Sequence, residues 1–274
     1  MMKPLLLKPW LLKPWLLKPW LLKPWQLKPW LIACTVLALM LTPPGAATEA
    51  RAEVGAEASV DLLLVLAADI SRSVDARKFK LQREGYAAAL TNPKVLGAIQ
   101  SVPSGRIAIC FVEWSGASAQ IVIVDWTIVG NLAEARAVAD RILAAPRQFN
   151  ERTGIGTAID YSVQQFARSP FKASRHVIDV SGDGTSNVGR NVVEARDEAL
   201  AKGITINGLA ILSDVPLPSN PQHTHPPGGL LKYYQDNVIG GPGAFALGAE
   251  GHEAFGQLIL NKLIKEIALG PVVE

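Results

Sequence analysis

Cysteine is almost absent from this chain: two residues in 274, Cys34 and Cys110. Cys34 lies in a leader expected to be removed, so no disulfide framework can form in the mature chain. Cys110 sits in the apolar run RIAICFVEW and reads as a small buried hydrophobe. Stability must therefore come from packing, which a hydrophobic content of 49% can supply. A long apolar run near the N-terminus is also missing. Leu31 to Thr42, LIACTVLALMLT, is short for a membrane span and matches the h-region of a signal peptide. Nor is there a lasting excess of positive charge. The formal charge of +3 includes Lys3, Lys8, Lys13, Lys18, Lys23, Lys28 and Arg51, all in the leader with Glu49. Without these seven of 27 basic and one of 24 acidic residues, 20 basic and 23 acidic remain, a charge of −3. A nucleic-acid partner has no electrostatic support. Enzyme signatures are missing too: no D-x-D nucleophile pair, no G-x-x-x-x-G-K phosphate loop, no G-x-S-x-G elbow.

What the N-terminus does contain is repetition. LLKPW recurs with small variations from Leu6 to Trp30. A proline every fifth residue forbids a regular helix, and the period is too short for a solenoid unit. The repeat reads as an expansion within a tolerant, basic n-region; the sharper alternative is a Trp/Lys membrane-surface peptide. Ala50-Arg51-Ala52 has the A-x-A form of a signal-peptidase site, with Gly45-Ala46-Ala47 as an alternative. The expected organisation is a signal peptide over 1–52, a linker over 53–59, one domain over 60–268 and a tail over 269–274. Such a protein is exported, periplasmic or secreted, with an uncleaved membrane anchor left open.

After the leader, apolar runs alternate with helical patterns. Val60 to Ala68 is too continuously apolar for a half-exposed strand and reads as a central parallel strand. Further strands are expected at 106–114, 120–129, 175–181, 204–212 and 244–247. Helices are expected at 75–90, 132–143, 157–168, 192–202, 230–237 and 252–268, with a short turn at 94–100. Asn131 reads as an N-cap and Gly203 as a helix terminator. Only Ser115-Gly116 and a few residues separate the second and third strands, so these form an antiparallel edge pair. The pattern predicts an α/β domain: a doubly wound, mostly parallel sheet with one antiparallel edge strand and helices on both faces.

Hard oxygen donors collect at strand ends. Asp69, Ser71 and Ser73 form D-x-S-x-S after the first strand, Thr153 lies in RTGIGTAI, and Asp183 lies in SGDG. An open α/β sheet binds ligands at the C-terminal ends of its strands. Carboxylates and hydroxyls without His or Cys suit magnesium, with manganese or calcium as substitutes.

D-x-S-x-S after an apolar strand, then T-x-I-G-x-A-I, then a strand ending in D-G, resembles a von Willebrand factor type A domain across about residues 60–268. The five residues match that family's metal-ion-dependent adhesion site. RIAICFVEWSG and NVIGGPGAF further resemble an uncharacterised, exported bacterial subgroup named only as a domain of unknown function. The resemblance implies binding: an open position on the metal takes an Asp or Glu carboxylate from a protein partner. Two departures stand out, Ser-Gly-Asp-Gly in place of the common Thr-Asp-Gly, and Arg152 where a small residue usually precedes the threonine.

Blander readings compete. Ser71 and Ser73 could cap the following helix. Asp179 suggests a polar contact within a strand, Asp160 and Asp197 solvated helix faces, and His176 a structural role. His223 and His225, spaced H-x-H, could bind a transition metal, but in this Pro-rich loop they read as an exposed, unoccupied pair. Glu113 and Trp114 could line a partner surface, though a packed Trp is the simpler account. The rival functional classes are a magnesium-dependent phosphohydrolase and a structural envelope protein with a vestigial site.

Overall fold

The apolar run that opens the domain becomes β1, Leu62–Asp69, buried at every position. Leu62, Leu64 and Leu66 pack on one side of the sheet, and Leu63, Val65 and Ala67 on the other. That is the alternation of a strand covered on both faces. The structure, a computed structural model, describes residues 59–268. The expected signal peptide with its LLKPW repeats (1–52), all of the linker but Ser59, and the tail (269–274) lie outside the described residues.

The other strands are β2 (Ile107–Trp114), β3 (Gln120–Val129), β4 (Arg175–Gly182), β5 (Ile204–Leu212) and β6 (Ala246–Glu250). They form one sheet in the order β3-β2-β1-β4-β5-β6. β1 pairs in parallel with β2 and β4, β5 joins β4 and β6 in parallel, and β3 runs antiparallel on the β2 edge. The doubly wound sheet with one antiparallel edge strand is thus present. β6 begins two residues later than expected. Phe245 N–H goes to the Asn207 side chain at 3.1 Å instead of to a β5 carbonyl, while Phe245 O accepts from Gly208 N–H of β5 at 3.0 Å.

Helices cover both faces. α1 (Ala76–Leu90), α2 (Pro93–Ser101), α3 (Leu132–Ala144) and α8 (Phe255–Ala268) lie with Leu62, Leu64 and Leu66. α4 (Ile155–Ala167), α5 (Val192–Leu200) and α7 (Leu230–Tyr233) lie with Leu63, Val65 and Ala67. α6 (Pro221–Thr224) is a single turn in the loop after β5. Asn131 caps α3 as expected, accepting from Glu134 N–H at 3.0 Å. Gly203, at φ 73°, closes the turn after α5. The expected helix over 230–237 is α7 continued by a π-helical turn, Tyr234–Val238. There Asn237 donates its amide to Tyr233 O at 3.0 Å, a side chain taking a carbonyl that a regular helix would use.

The chain leaves β1 for β2 and β3 on one side, then crosses to β4, β5 and β6 on the other. The switch point lies between β1 and β4, where an open sheet forms its ligand crevice. Asp69 ends β1, and Asp183 follows Gly182 at the end of β4.

Candidate metal centre

The β1–α1 loop is shaped by its own polar side chains. Asp69 Oδ1 accepts from Ser71 N–H at 2.6 Å, folding the loop back on the strand end. Asp75, not a serine, caps α1, accepting from Lys78 N–H at 2.9 Å. The hydroxyls of Ser71 and Ser73 are therefore free to face the crevice. Two residues outside the motif hold the loop. Gln82 donates to Asp69 O at 3.0 Å, and Arg147 donates to Ile70 O and Ser71 O at 2.6 and 3.0 Å.

Thr153 arrives on a second loop, 147–154, that leads into α4. Arg72 N–H donates to Glu151 O at 2.8 Å, joining this loop to the first. A third loop, 183–191, is knitted to the second: Thr153 N–H donates to Asn187 Oδ1 at 3.0 Å and Asn187 N–H to Thr153 O at 2.8 Å. Asp183 opens that third loop.

The structure brings all five expected residues together. Ser73 Oγ donates to Asp183 Oδ1 at 2.5 Å. Ser71 Oγ lies 3.1 Å from Ser73 Oγ and accepts from Thr153 Oγ1 at 3.2 Å. Asp69, Ser71, Thr153 and Asp183 are all nearly inaccessible to solvent. Burial, with Asp183 close by, pushes the Asp69 carboxyl up to about 8. Its Oδ2 is buried without a hydrogen-bond partner, as is the Tyr234 hydroxyl. A Cβ on Gly182 would come within 2.6 Å of that hydroxyl and 3.0 Å of Asp69 Oδ2, so only glycine fits there.

This donor set fits a hard divalent cation: two carboxylates and three hydroxyls, with one of the carboxylate oxygens, Asp69 Oδ2, lacking any hydrogen-bond donor. No group of three or more His, Cys, Asp or Glu side chains with metal-binding geometry occurs among the described residues, so any cation here relies on hydroxyls. One positive charge is already near. Lys78 Nζ donates to Ser73 O at 2.9 Å and reaches Asp183 Oδ2 at 3.3 Å.

His223 departs from its expected exposure. It is buried beside the centre, with Nε2 3.4 Å from Thr153 Oγ1, and burial lowers its pKa. Backbone pairing fixes it there, Thr185 N–H donating to His223 O at 2.8 Å. His225 is exposed. Nothing in the Pro-rich sequence around His223 signals this placement, because the contact spans about 70 residues of chain. Elsewhere the polar readings hold or sharpen. Asp179 pairs with Lys262 at 2.6 Å, Asp160 with Arg190 at 2.7 Å and Asp197 with Arg196 at 2.8 Å. His176 stands edge-on to Phe166. Glu113 and Trp114 are both buried, and Glu113 pairs with Arg83 rather than with a surface.

Residues 59–270 match the model of the family described as Protein of unknown function (DUF1194). The chain belongs to the DUF1194 family. No curated protein matches it. Solved structures place the DUF1194 domain in the von Willebrand factor type A fold. The pilus adhesin SpaC from Lactobacillus rhamnosus GG, in an open conformation, aligns at TM-score 0.54 and 16% identity, over 76% of this chain and 30% of its own. Proximal thread matrix protein 1 from the mussel byssus, with a zinc-occupied MIDAS motif, aligns at 0.53 and 13%, over 77% and 48%. A von Willebrand factor type A protein from Catenulispora acidiphila aligns at 0.51 and 12%, over 76% and 43%. The DUF1194 chain spans less than half the length of each. No helix among the described residues is long and apolar enough to cross a membrane.

Proposed function

We propose that this DUF1194 protein is an exported, metal-dependent protein-binding module and not an enzyme. In this reading Asp69, Ser71, Ser73, Thr153 and Asp183 hold a divalent cation, magnesium in the first instance, with manganese or calcium able to substitute. The cation supplies a Lewis-acidic position that an Asp or Glu carboxylate from a partner protein fills. The chain's own residues do the rest. Gln82 and Arg147 keep the β1–α1 loop in place, Asn187 fixes the backbone of Thr153, and Lys78 offsets part of the charge on Asp183.

The observation that carries the reading is the convergence of three loops on one set of oxygens 2.5–3.2 Å apart, with Asp69 Oδ2 lacking any donor. The zinc-occupied MIDAS motif of the byssus protein, on the same fold, supports a divalent cation in general. A pilus adhesin and a thread matrix protein among the structural relatives support protein binding outside the cell. The signal-like N-terminus points the same way.

The test is thermal unfolding of the protein with and without magnesium, beside Asp69→Ala. A ligand at about a hundredfold its dissociation constant adds roughly 2.7 kcal/mol, so the wild type should melt several degrees higher with magnesium. The mutant should show no shift. A wild type indifferent to magnesium, manganese and calcium removes the reading.

A further inference from the structure

The surroundings of His223 decide which ring nitrogen carries its proton. The Thr153 N–H can only donate, and it donates to Asn187 Oδ1 at 3.0 Å. That bond turns the Asn187 amide so that its NH2 group faces His223 Nδ1 at 3.4 Å. An NH2 group also only donates, so Nδ1 is the accepting, unprotonated nitrogen. The Thr185 hydroxyl, 3.5 Å from the same nitrogen, can donate there as well. The hydrogen of the neutral ring then sits on Nε2. Nε2 is the nitrogen that lies against Thr153 Oγ1, among the hydroxyls. Gly184 makes this seat possible, since a Cβ there would overlap the imidazole.

A ring nitrogen that carries hydrogen offers no lone pair to a cation. His223 therefore leaves the centre an oxygen site and adds a neutral donor to a cluster built of acceptors. We propose that His223 donates Nε2–H to the oxyanion that completes the metal shell, with Asn187 as the positioning residue that holds the tautomer. This rests on the metal-dependent reading above. A carboxylate has two acceptor oxygens, one for the cation and one for the imidazole, so the pair selects carboxylates over ligands with a single oxygen. The pocket of about 350 Å³ that His223 shares with Ser73, Thr153, Asn187, Arg72 and Arg152 gives such a group access from solvent. The two arginines are exposed and, with the exposed Glu151 beside them, leave one net positive charge at its rim.

The tautomer can be read directly from the ring nitrogens by NMR on the full-length protein, and acetate serves as the carboxylate probe. The wild type should show His223 with hydrogen on Nε2, unchanged when magnesium is added. Acetate should then shift the Nε2–H resonance only in the presence of magnesium. His223→Phe should keep magnesium affinity and bind acetate about tenfold more weakly, the loss of one hydrogen bond to a charged group. Asn187→Asp places an acceptor opposite Nδ1. It should move the hydrogen to Nδ1, free Nε2 as a ligand, and raise zinc affinity by about tenfold or more. Hydrogen on Nδ1 in the wild type, or unchanged acetate affinity in His223→Phe, overturns the proposal while leaving the metal site intact. Failure of the wild type to bind magnesium overturns the metal reading, and this proposal with it.

Discussion

Single residues in this domain act in pairs that cannot be halved. Arg83 and Glu113 are both buried and meet through two bonds, Nε to Oε1 at 2.7 Å and Nη2 to Oε2 at 2.9 Å. Arg83 also donates to Ala145 O, just beyond α3, so one guanidinium links α1, β2 and the end of α3. Burial raises the Glu113 pKa despite its partner, a sign that desolvation is heavy. Removing one member strands the other. Arg83→Met should cost about 3–5 kcal/mol in urea unfolding, whereas the double change with Glu113→Leu should recover most of that loss. An equal loss in single and double variants would show that the packing of these side chains matters more than their charges. Asp75→Ala is a milder case. It removes the α1 cap and should cost about 1 kcal/mol.

At the scale of elements, α8 is tied to the sheet by charge as well as by apolar packing. Lys262 is fully buried and pairs with Asp179 of β4 and with Glu266 one turn along its own helix. Asn207 of β5 donates to Glu266 Oε1 at 2.9 Å, and Arg175 of β4 donates to Glu266 O and Ile267 O. Tyr86 of α1 faces the same cluster. Two carboxyls thus share one ammonium in a dry setting. Burial and the nearby Asp179 carboxyl push Glu266 up to about 7, and burial raises Asp179 as well. The folded state therefore binds more protons than the unfolded state between the ordinary carboxyl range and pH 7. Stability should be greatest below about pH 4.5 for this cluster and fall as pH rises to about 7, by about 3 kcal/mol. Glu266→Gln should make the fall of melting temperature with pH shallower in that window without abolishing it, because the buried Asp69 carboxyl, pushed up to about 8, adds its own fall there. A profile as steep as that of the wild type would place the slope elsewhere.

For the molecule as a whole, the candidate centre is the point where distant parts of the chain meet. Its donors come from the end of β1, the approach to α4 and the end of β4, joined by only a few backbone and side-chain bonds. A cation held there ties all three loops at once. Hydrogen exchange should therefore slow in 70–74, 150–154 and 183–188 together when magnesium is added, with little change in β1 or β4 themselves. Slowing in one loop alone would mean that the other two contribute no ligand.

How much of this was legible in advance follows from the range over which each signal acts. The unbroken apolar run of β1, the period of the helices, the Asn131 cap and the short link between β2 and β3 are local. The α/β class and the antiparallel edge pair could be read from them. The five oxygen donors were legible as strand-end oxygens, and as one set only through the resemblance of D-x-S-x-S, T-x-I-G-x-A-I and the D-G strand end, in that order, to the von Willebrand factor type A motif. Sequence alone also fixed the scarcity of cysteine and the dominance of packing. Only the tertiary structure decided what depends on contacts across many residues. His223 reaches Thr153 across 70 positions, Lys262 reaches Asp179 across more than 80, and Arg83 reaches Glu113 across 30. A buried polar side chain needs a partner more than it needs a place in a pattern. The chain's periodicity shows which face is apolar, and the folded sheet determines which polar groups are left to find one another.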